Sequence, residues 1–235
     1  MLNDTQRQDR AFNQDFKYTH NNPYHHRLQA FDGLVLRDTE AEDFKGQWSK
    51  KLFLNDSPIH LEIGTGYGHF MMDYTQKNPQ ANFVGLDHRF KRSFHLAKKL
   101  EKLTHKNFRY LRAKGERIGH LFEESEVSRI FYFFPDPWPK TRHHKKRLFQ
   151  THFLDLCQRV LTSSGELLIK TDHLDYFKWM VQFAKTHSGF SCEFLSYDLY
   201  QDEPTHELAQ FQTKFERIFL EKNIPIKAMV LKVIK

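Results

Sequence analysis

Ile59-His60-Leu61-Glu62-Ile63-Gly64-Thr65-Gly66-Tyr67-Gly68 decides the fold. Its first five residues alternate as a β-strand does, glycine then recurs at every second position, and His69 to Gln76 has the spacing of a helix. Glycine at a strand-to-helix turn permits positive φ and lets a ligand lie against backbone that a Cβ would block. The pattern is GxGxG with His69 next, so the dinucleotide form GxGxxG is not met; lacking a Lys-Ser/Thr ending, it is not a phosphate P-loop either. Phe83 to Asp87 reads as a second strand whose last residue, nineteen beyond Gly68, is an acid. A carboxylate there accepts hydrogen bonds from ribose hydroxyls. Gly64, Gly66, Gly68 and Asp87 therefore predict a nucleoside-type cofactor site at the C-terminal ends of the strands.

Outward from this unit, strands and helices alternate. The apolar spacing predicts a helix over Phe90–Leu103, strands at Phe108–Leu111 and Arg129–Phe134, and a helix over Leu148–Leu161 closed by Ser163-Ser164-Gly165. A strand over Glu166–Asp172, a helix over Leu174–Thr186, and strands at Phe194–Leu199 and Ala228–Ile234 complete the reading. The expected fold is α/β: a mostly parallel sheet with an antiparallel edge strand and helices on both faces. Residues 1–45 are polar with weak periodicity and read as a flexible or loosely docked arm; residues 46–235 read as a single domain.

A second stretch carries chemistry: Phe134-Pro135-Asp136-Pro137-Trp138-Pro139-Lys140-Thr141-Arg142-His143-His144-Lys145-Lys146-Arg147. Three prolines stop any ladder or helix and hold Asp136 in a rigid loop at a strand end. Five cations follow at once, and a carboxylate beside a dense positive patch suits work on a polyanion. The bland reading, a proline-rich turn leading into a solvated basic stretch, stands beside this one and is weakened by the position after a buried strand. Lys and Arg total 36 against 29 Asp and Glu, a net charge of +7, which favours nucleic acid as the partner. No run of eighteen apolar residues predicts a membrane span, the first residues have no apolar signal region, and Cys157 and Cys192 read as core thiols. A cytoplasmic protein is expected, without metal, since the fifteen histidines show no ligand spacing, and as a monomer rather than a homodimer.

Several segments together resemble one family. Asn55 to Phe70, the PDPWPK stretch with its basic run, Ile169-Lys170-Thr171-Asp172, Thr213-Lys214-Phe215-Glu216 and Phe44-Lys45-Gly46-Gln47-Trp48 are similar to motifs of the bacterial tRNA (guanine-N7-)-methyltransferases, and the likeness runs from about residue 44 to the C-terminus. The resemblance implies a Rossmann-like fold, S-adenosyl-L-methionine as cofactor and tRNA as partner, with the variable-loop guanosine 46 methylated at N7. It implies that Glu62 helps hold S-adenosyl-L-methionine and that Asp87 takes the ribose-binding place, where the family usually has Glu. Asp136 corresponds to the active-site aspartate. Lys140, Asp172 and Thr213, Lys214, Phe215 and Glu216 correspond to substrate contacts, and Arg142 and Lys146 to basic residues implicated in RNA binding.

One position departs. Where the family places an aspartate toward the adenine side of the cofactor, this chain has Lys114. Losing that acceptor is worth about 1–3 kcal/mol of cofactor binding unless Glu116 or backbone replaces it. Two further readings therefore stand beside the first: a noncatalytic RNA-binding relative with a degraded cofactor pocket, and a methyltransferase of this fold acting on another RNA.

Overall fold

The computed structural model describes Phe12 and residues 22–235. In chain order, the elements that build the frame are β1 (Val35–Arg37), β2 (Ile59–Ile63), α1 (His69–Lys77), β3 (Asn82–Leu86), α2 (Phe90–Leu100), β4 (Phe108–Arg112) and β5 (Val127–Phe133). They are followed by α3 (Thr151–Val160), β6 (Leu161–Thr171), α4 (Leu174–Thr186), β7 (Phe190–Ser196), α5 (Lys214–Glu221) and β8 (Lys227–Val233). The strands form one sheet in the order β1-β4-β3-β2-β5-β6-β8-β7. The six from β1 to β6 are parallel neighbours, and β8 runs antiparallel to both β6 and β7, which makes the far edge the antiparallel one.

Side-chain alternation along the strands builds a separate apolar layer on each face. Leu61, Val84, Ile130 and Ile169 point to the side covered by Phe153 and Cys157 of α3 and Phe177 and Met180 of α4. Phe83, Tyr110, Phe131 and Leu168 point to the opposite side, covered by Phe70 and Tyr74 of α1 and Leu96 and Leu100 of α2. The run Ile130–Phe133 is apolar at every position because both of its faces are covered. Among the described residues, no helix is long and apolar enough to cross a membrane.

Three local expectations need correction. The fold does not begin at residue 46: Leu28 and Ala41 are fully buried, and Val35–Arg37 pairs with Tyr110–Arg112 of β4. The polarity of this segment has a structural use, since Asp38 pairs with the buried Arg112 and Glu42 with the buried Arg117, at 2.6 Å in the second case. The remainder of the expected arm, residues 1–11 and 13–21, lies outside the described residues. Secondly, no loop separates α3 from β6; the strand starts at Leu161, and Ser163-Ser164-Gly165 lies within it. Thirdly, β7 begins at Phe190, and Leu199 opens a short helix whose preceding residue, Asp198, caps it through its side chain.

Candidate active site

β2 and β5 are adjacent and parallel, with Leu61 opposite Ile130 and Glu62 opposite Phe131. From β2 the chain builds outward through β3 to β4, then returns to the other flank of β2 at β5. That reversal is a topological switch point, where the two loops leaving the strands diverge and open a crevice. The glycine turn leaves β2 and the proline loop leaves β5, so both border it.

The glycine turn is held from the side. Asp87, just beyond β3, accepts from the Gly66 N–H at 2.9 Å and from the Arg89 N–H at 2.8 Å. Gly68 has φ +70°, and a Cβ there would meet Leu96 at 2.2 Å, so only glycine lets α1 start this close to α2. Gly64, at φ +90°, has no atom within 4 Å of the place a Cβ would occupy, which leaves its backbone open to a ligand. Behind the turn lies Glu62, 4 % exposed, whose Oε2 has no hydrogen-bond partner. Burial pushes its carboxyl up to about 8, opposed by the Thr65 hydroxyl and more weakly by Lys170, while nearby Asp87 adds to the rise. A buried carboxylate oxygen with no partner, beside open glycine backbone, fits a ligand that brings a cationic donor. Half-buried Lys114 follows the end of β4, on the same rim of strand ends.

The proline loop is strained and braced. Phe134 and Trp138 both have positive φ, at 48° and 45°, although each precedes a proline. Phe134 extends the sheet by donating to the Lys170 carbonyl at 2.8 Å, and its ring stacks on Phe219 of α5. Arg147 donates from Nε to the Pro137 carbonyl at 2.9 Å, and the Lys146 ammonium lies 4.9 Å from the Trp138 ring centre. Trp138 also meets His143 edge-on, so its ring serves packing within the loop. Asp136 between these anchors is exposed, and Arg89 Nη2 lies 4.0 Å from its Oδ2. The loops after β3 and β5 thus meet at Arg89 and Asp136, on the same rim of strand ends that carries the glycine turn and Asp87. Arg89 escaped the sequence reading, although a cation two residues beyond the strand-end acid was its signal.

The basic run divides. Lys140, Arg142 and Lys145 are exposed and Lys146 is half-buried, in a turn of 3₁₀ helix over Thr141–Lys146. Arg147 is not part of that surface; it is 2 % exposed, stacked against Tyr176 and Trp179 with its carbon about 5 Å from each ring centre.

Asp172 follows the end of β6, beside the proline loop. The Thr213–Glu216 segment opens α5 with a capping box: Glu216 N–H donates to Thr213 Oγ1 at 3.1 Å, and Thr213 N–H to Glu216 Oε2 at 3.0 Å. Lys214 and Phe215 are exposed, Phe215 at 54 %. Glu216 departs from the expected set, because its carboxylate is fully buried and saturated by Lys170 Nζ at 2.7 and 2.8 Å and by the Tyr200 hydroxyl at 3.0 Å. Its work is to fix the segment carrying Lys214 and Phe215. Lys170 also donates to the Leu208 and Phe211 carbonyls, at 3.0 and 2.8 Å, and so ties that whole segment to β6. A lysine directly after the buried run Leu167–Ile169 was the sequence signal for such a partner. Among the described residues, no group of three or more His, Cys, Asp or Glu is placed to hold a metal ion.

Sheet order, switch-point cleft and glycine turn define a Rossmann-like methyltransferase. A family model described as "Putative methyltransferase" matches residues 56–229. Among solved structures, the 16S rRNA methyltransferase KamB shares the fold, with a TM-score of 0.58 at 18% identity, covering 85% of this chain and 95% of that one. The chain is 35% identical over 178 residues to a tRNA (guanine-N(7)-)-methyltransferase of Clostridium tetani (strain Massachusetts / E88), covering 75% of this chain and 83% of the relative. It is 32% identical over 214 residues to one of Malacoplasma penetrans (strain HF-2), covering 89% and 94%. The chain belongs to the tRNA (guanine-N(7)-)-methyltransferase family.

Two tests address how the cleft is held. Lys170→Met leaves the Glu216 carboxylate buried without its cation and should lower unfolding free energy by about 3–5 kcal/mol in urea titration. Lys170→Met/Glu216→Gln, which removes both charges, should recover much of that loss; a single variant as stable as wild type would show that the pair does not hold the segment. Glu62 should make stability depend on pH. Its folded pKa, about 8, lies above the unfolded value of 4.5, so the folded state binds the extra proton between them. Stability therefore falls as pH rises through that window. In ligand-free protein Glu62→Gln should flatten this fall, as read by thermal unfolding from pH 5 to 8; an unchanged profile would contradict the shift.

Proposed function

We propose that the protein transfers the methyl group of S-adenosyl-L-methionine to N7 of a guanosine in tRNA, the variable-loop guanosine 46. The observation that carries this reading is the strand-end rim shared by the glycine turn, the unpartnered Glu62 oxygen and the proline-braced Asp136, which lies 4.0 Å from Arg89, two residues beyond Asp87. Glu62 is the residue for the ammonium of the cofactor's amino-acid end. Open backbone at Gly64, beside Gly66 held by Asp87, admits close approach, and Asp87 has lone pairs left for ribose hydroxyls beyond its two N–H contacts. Lys114 takes the adenine side of the rim. When bound, S-adenosyl-L-methionine supplies a methyl group activated by a sulfonium for in-line displacement.

Guanine N7 bears no proton at neutral pH, so the protein needs no strong base at that atom. Alignment and stabilisation of charge remain as its tasks. Asp136 accepts from the guanine N1–H or exocyclic amine and offsets positive charge that grows on the purine. Its exposure suits this role, since a carboxylate awaiting a base must not be saturated by protein donors. Lys140, Arg142 and Lys146 bind phosphates around the target, with Asp172, Thr213, Lys214 and Phe215 flanking it. The nucleotide leaves its stack to enter the cleft. A second reading, an RNA-binding relative without activity, is favoured by Lys114 alone; titration with S-adenosylhomocysteine separates the two.

Nucleosides from tRNA incubated with the protein and S-adenosyl-L-methionine should contain 7-methylguanosine by mass spectrometry. Its absence, with S-adenosylhomocysteine still bound, would direct the activity to another RNA. Asp136→Asn should lower kcat/KM by about 10²–10³-fold with unchanged thermal unfolding. Unaltered turnover would remove Asp136 from the mechanism.

A further inference from the structure

A groove of about 400 Å³ lies beside the basic turn, between it and the exposed side of α4. Thr141, His144 and Arg147 line it from one side, and Asp175, Lys178 and Gln182 from the other. None of these residues belongs to the glycine turn or to the cleft it borders. The groove is polar, and its charges are mixed rather than uniformly positive.

Arg147 is the reason to regard it as built. Its guanidinium is immobilised by two aromatic faces and by the Nε bond to Pro137, and the side chain is 2 % exposed. Its two Nη groups keep donors for something within the groove. A guanidinium fixed in advance loses little entropy when it forms paired hydrogen bonds to an anion. Lys178, exposed on α4, adds a second cation. Asp175 argues against a bare anion as the occupant, because a carboxylate repels phosphate. It suits an occupant that carries hydroxyl or N–H donors as well, and a ribonucleotide has both, with its 2′-hydroxyl able to donate.

Resting on the tRNA reading above, we propose that this groove is a second nucleotide subsite. It receives a ribonucleotide adjacent in space to the methylated guanosine, with phosphate at Arg147 and Lys178 and ribose hydroxyl at Asp175. The position agrees with that use. Pro139 lines the groove three residues from Asp136, a span of at most about 10 Å of backbone. One RNA can therefore engage the cleft and the groove together.

The test is tRNA binding by the full chain, measured by filter retention across a salt series, with S-adenosylhomocysteine titration and thermal unfolding as controls. Lys178→Glu should weaken tRNA binding at least tenfold and reduce the slope of log K against log salt by about 1, with the cofactor product still bound. Lys185→Glu makes the same charge change on α4 outside the groove and should stay within twofold of wild type. Asp175→Ala decides the chemistry. Simple attraction of phosphate requires tighter binding once this negative charge is gone, whereas a ribonucleotide subsite requires weaker binding. Lys178→Glu equal to Lys185→Glu, or Asp175→Ala tighter than wild type, would overturn the proposal while methylation of tRNA by the wild type still stood. A wild-type protein that retains no tRNA would overturn both.

Discussion

The pairing of β2 with β5 is the constraint on which the site depends. Parallel strands in that register deliver their following loops to the same edge of the sheet, and the reversal of strand order parts those loops into a crevice. Neither the glycine turn nor the proline loop contains a complete site. In the proposed function, Glu62 and the open glycine backbone provide for one reactant, and exposed Asp136 for the other. They come to the same rim of the sheet because Leu61 lies opposite Ile130. A one-residue slip in that register would turn Glu62 to the opposite face.

The crevice is kept in shape by polar groups whose partners come from distant parts of the chain. Asp87 ties the glycine turn to the loop after β3, and Arg147, stacked on Tyr176 and Trp179 of α4, ties the proline loop to that helix through the Pro137 carbonyl. Lys170 gathers Leu208, Phe211 and Glu216 around one buried ammonium, which fixes the segment that opens α5. Such buried groups contribute little net stability against apolar substitutes, yet removing one partner alone is costly. Their value lies in allowing only one arrangement of loops that no regular secondary structure would hold. The positive φ values at Phe134 and Trp138 are sustained by the same bracing.

Much of this was legible in the sequence because it rests on local signals. The period-2 run before Gly64, the acid at Asp87 and the proline-flanked Asp136 announce strand ends and turns directly. What escaped depends on pairings remote along the chain. Glu216 resembles a ligand-facing acid until Lys170, 46 residues earlier, is seen to consume it. Arg147 belongs by sequence to the basic surface and by structure to an aromatic stack with α4. The segment before residue 46 reads as a loosely docked arm for the same reason: it is polar and weakly periodic, whereas Asp38 and Glu42 answer buried arginines from β4 and the turn after it.

At the centre stands the claim that donor and acceptor share one crevice, parted only by the thickness of the base that receives the methyl group. A crystal structure with S-adenosylhomocysteine tests it most directly, by the position of the ligand's sulfur. The expected result is an amino-acid end against Glu62 and a sulfur facing Asp136 across a gap that a single purine fills. A ligand seated away from the glycine turn, or a sulfur screened from Asp136 by protein, would contradict it.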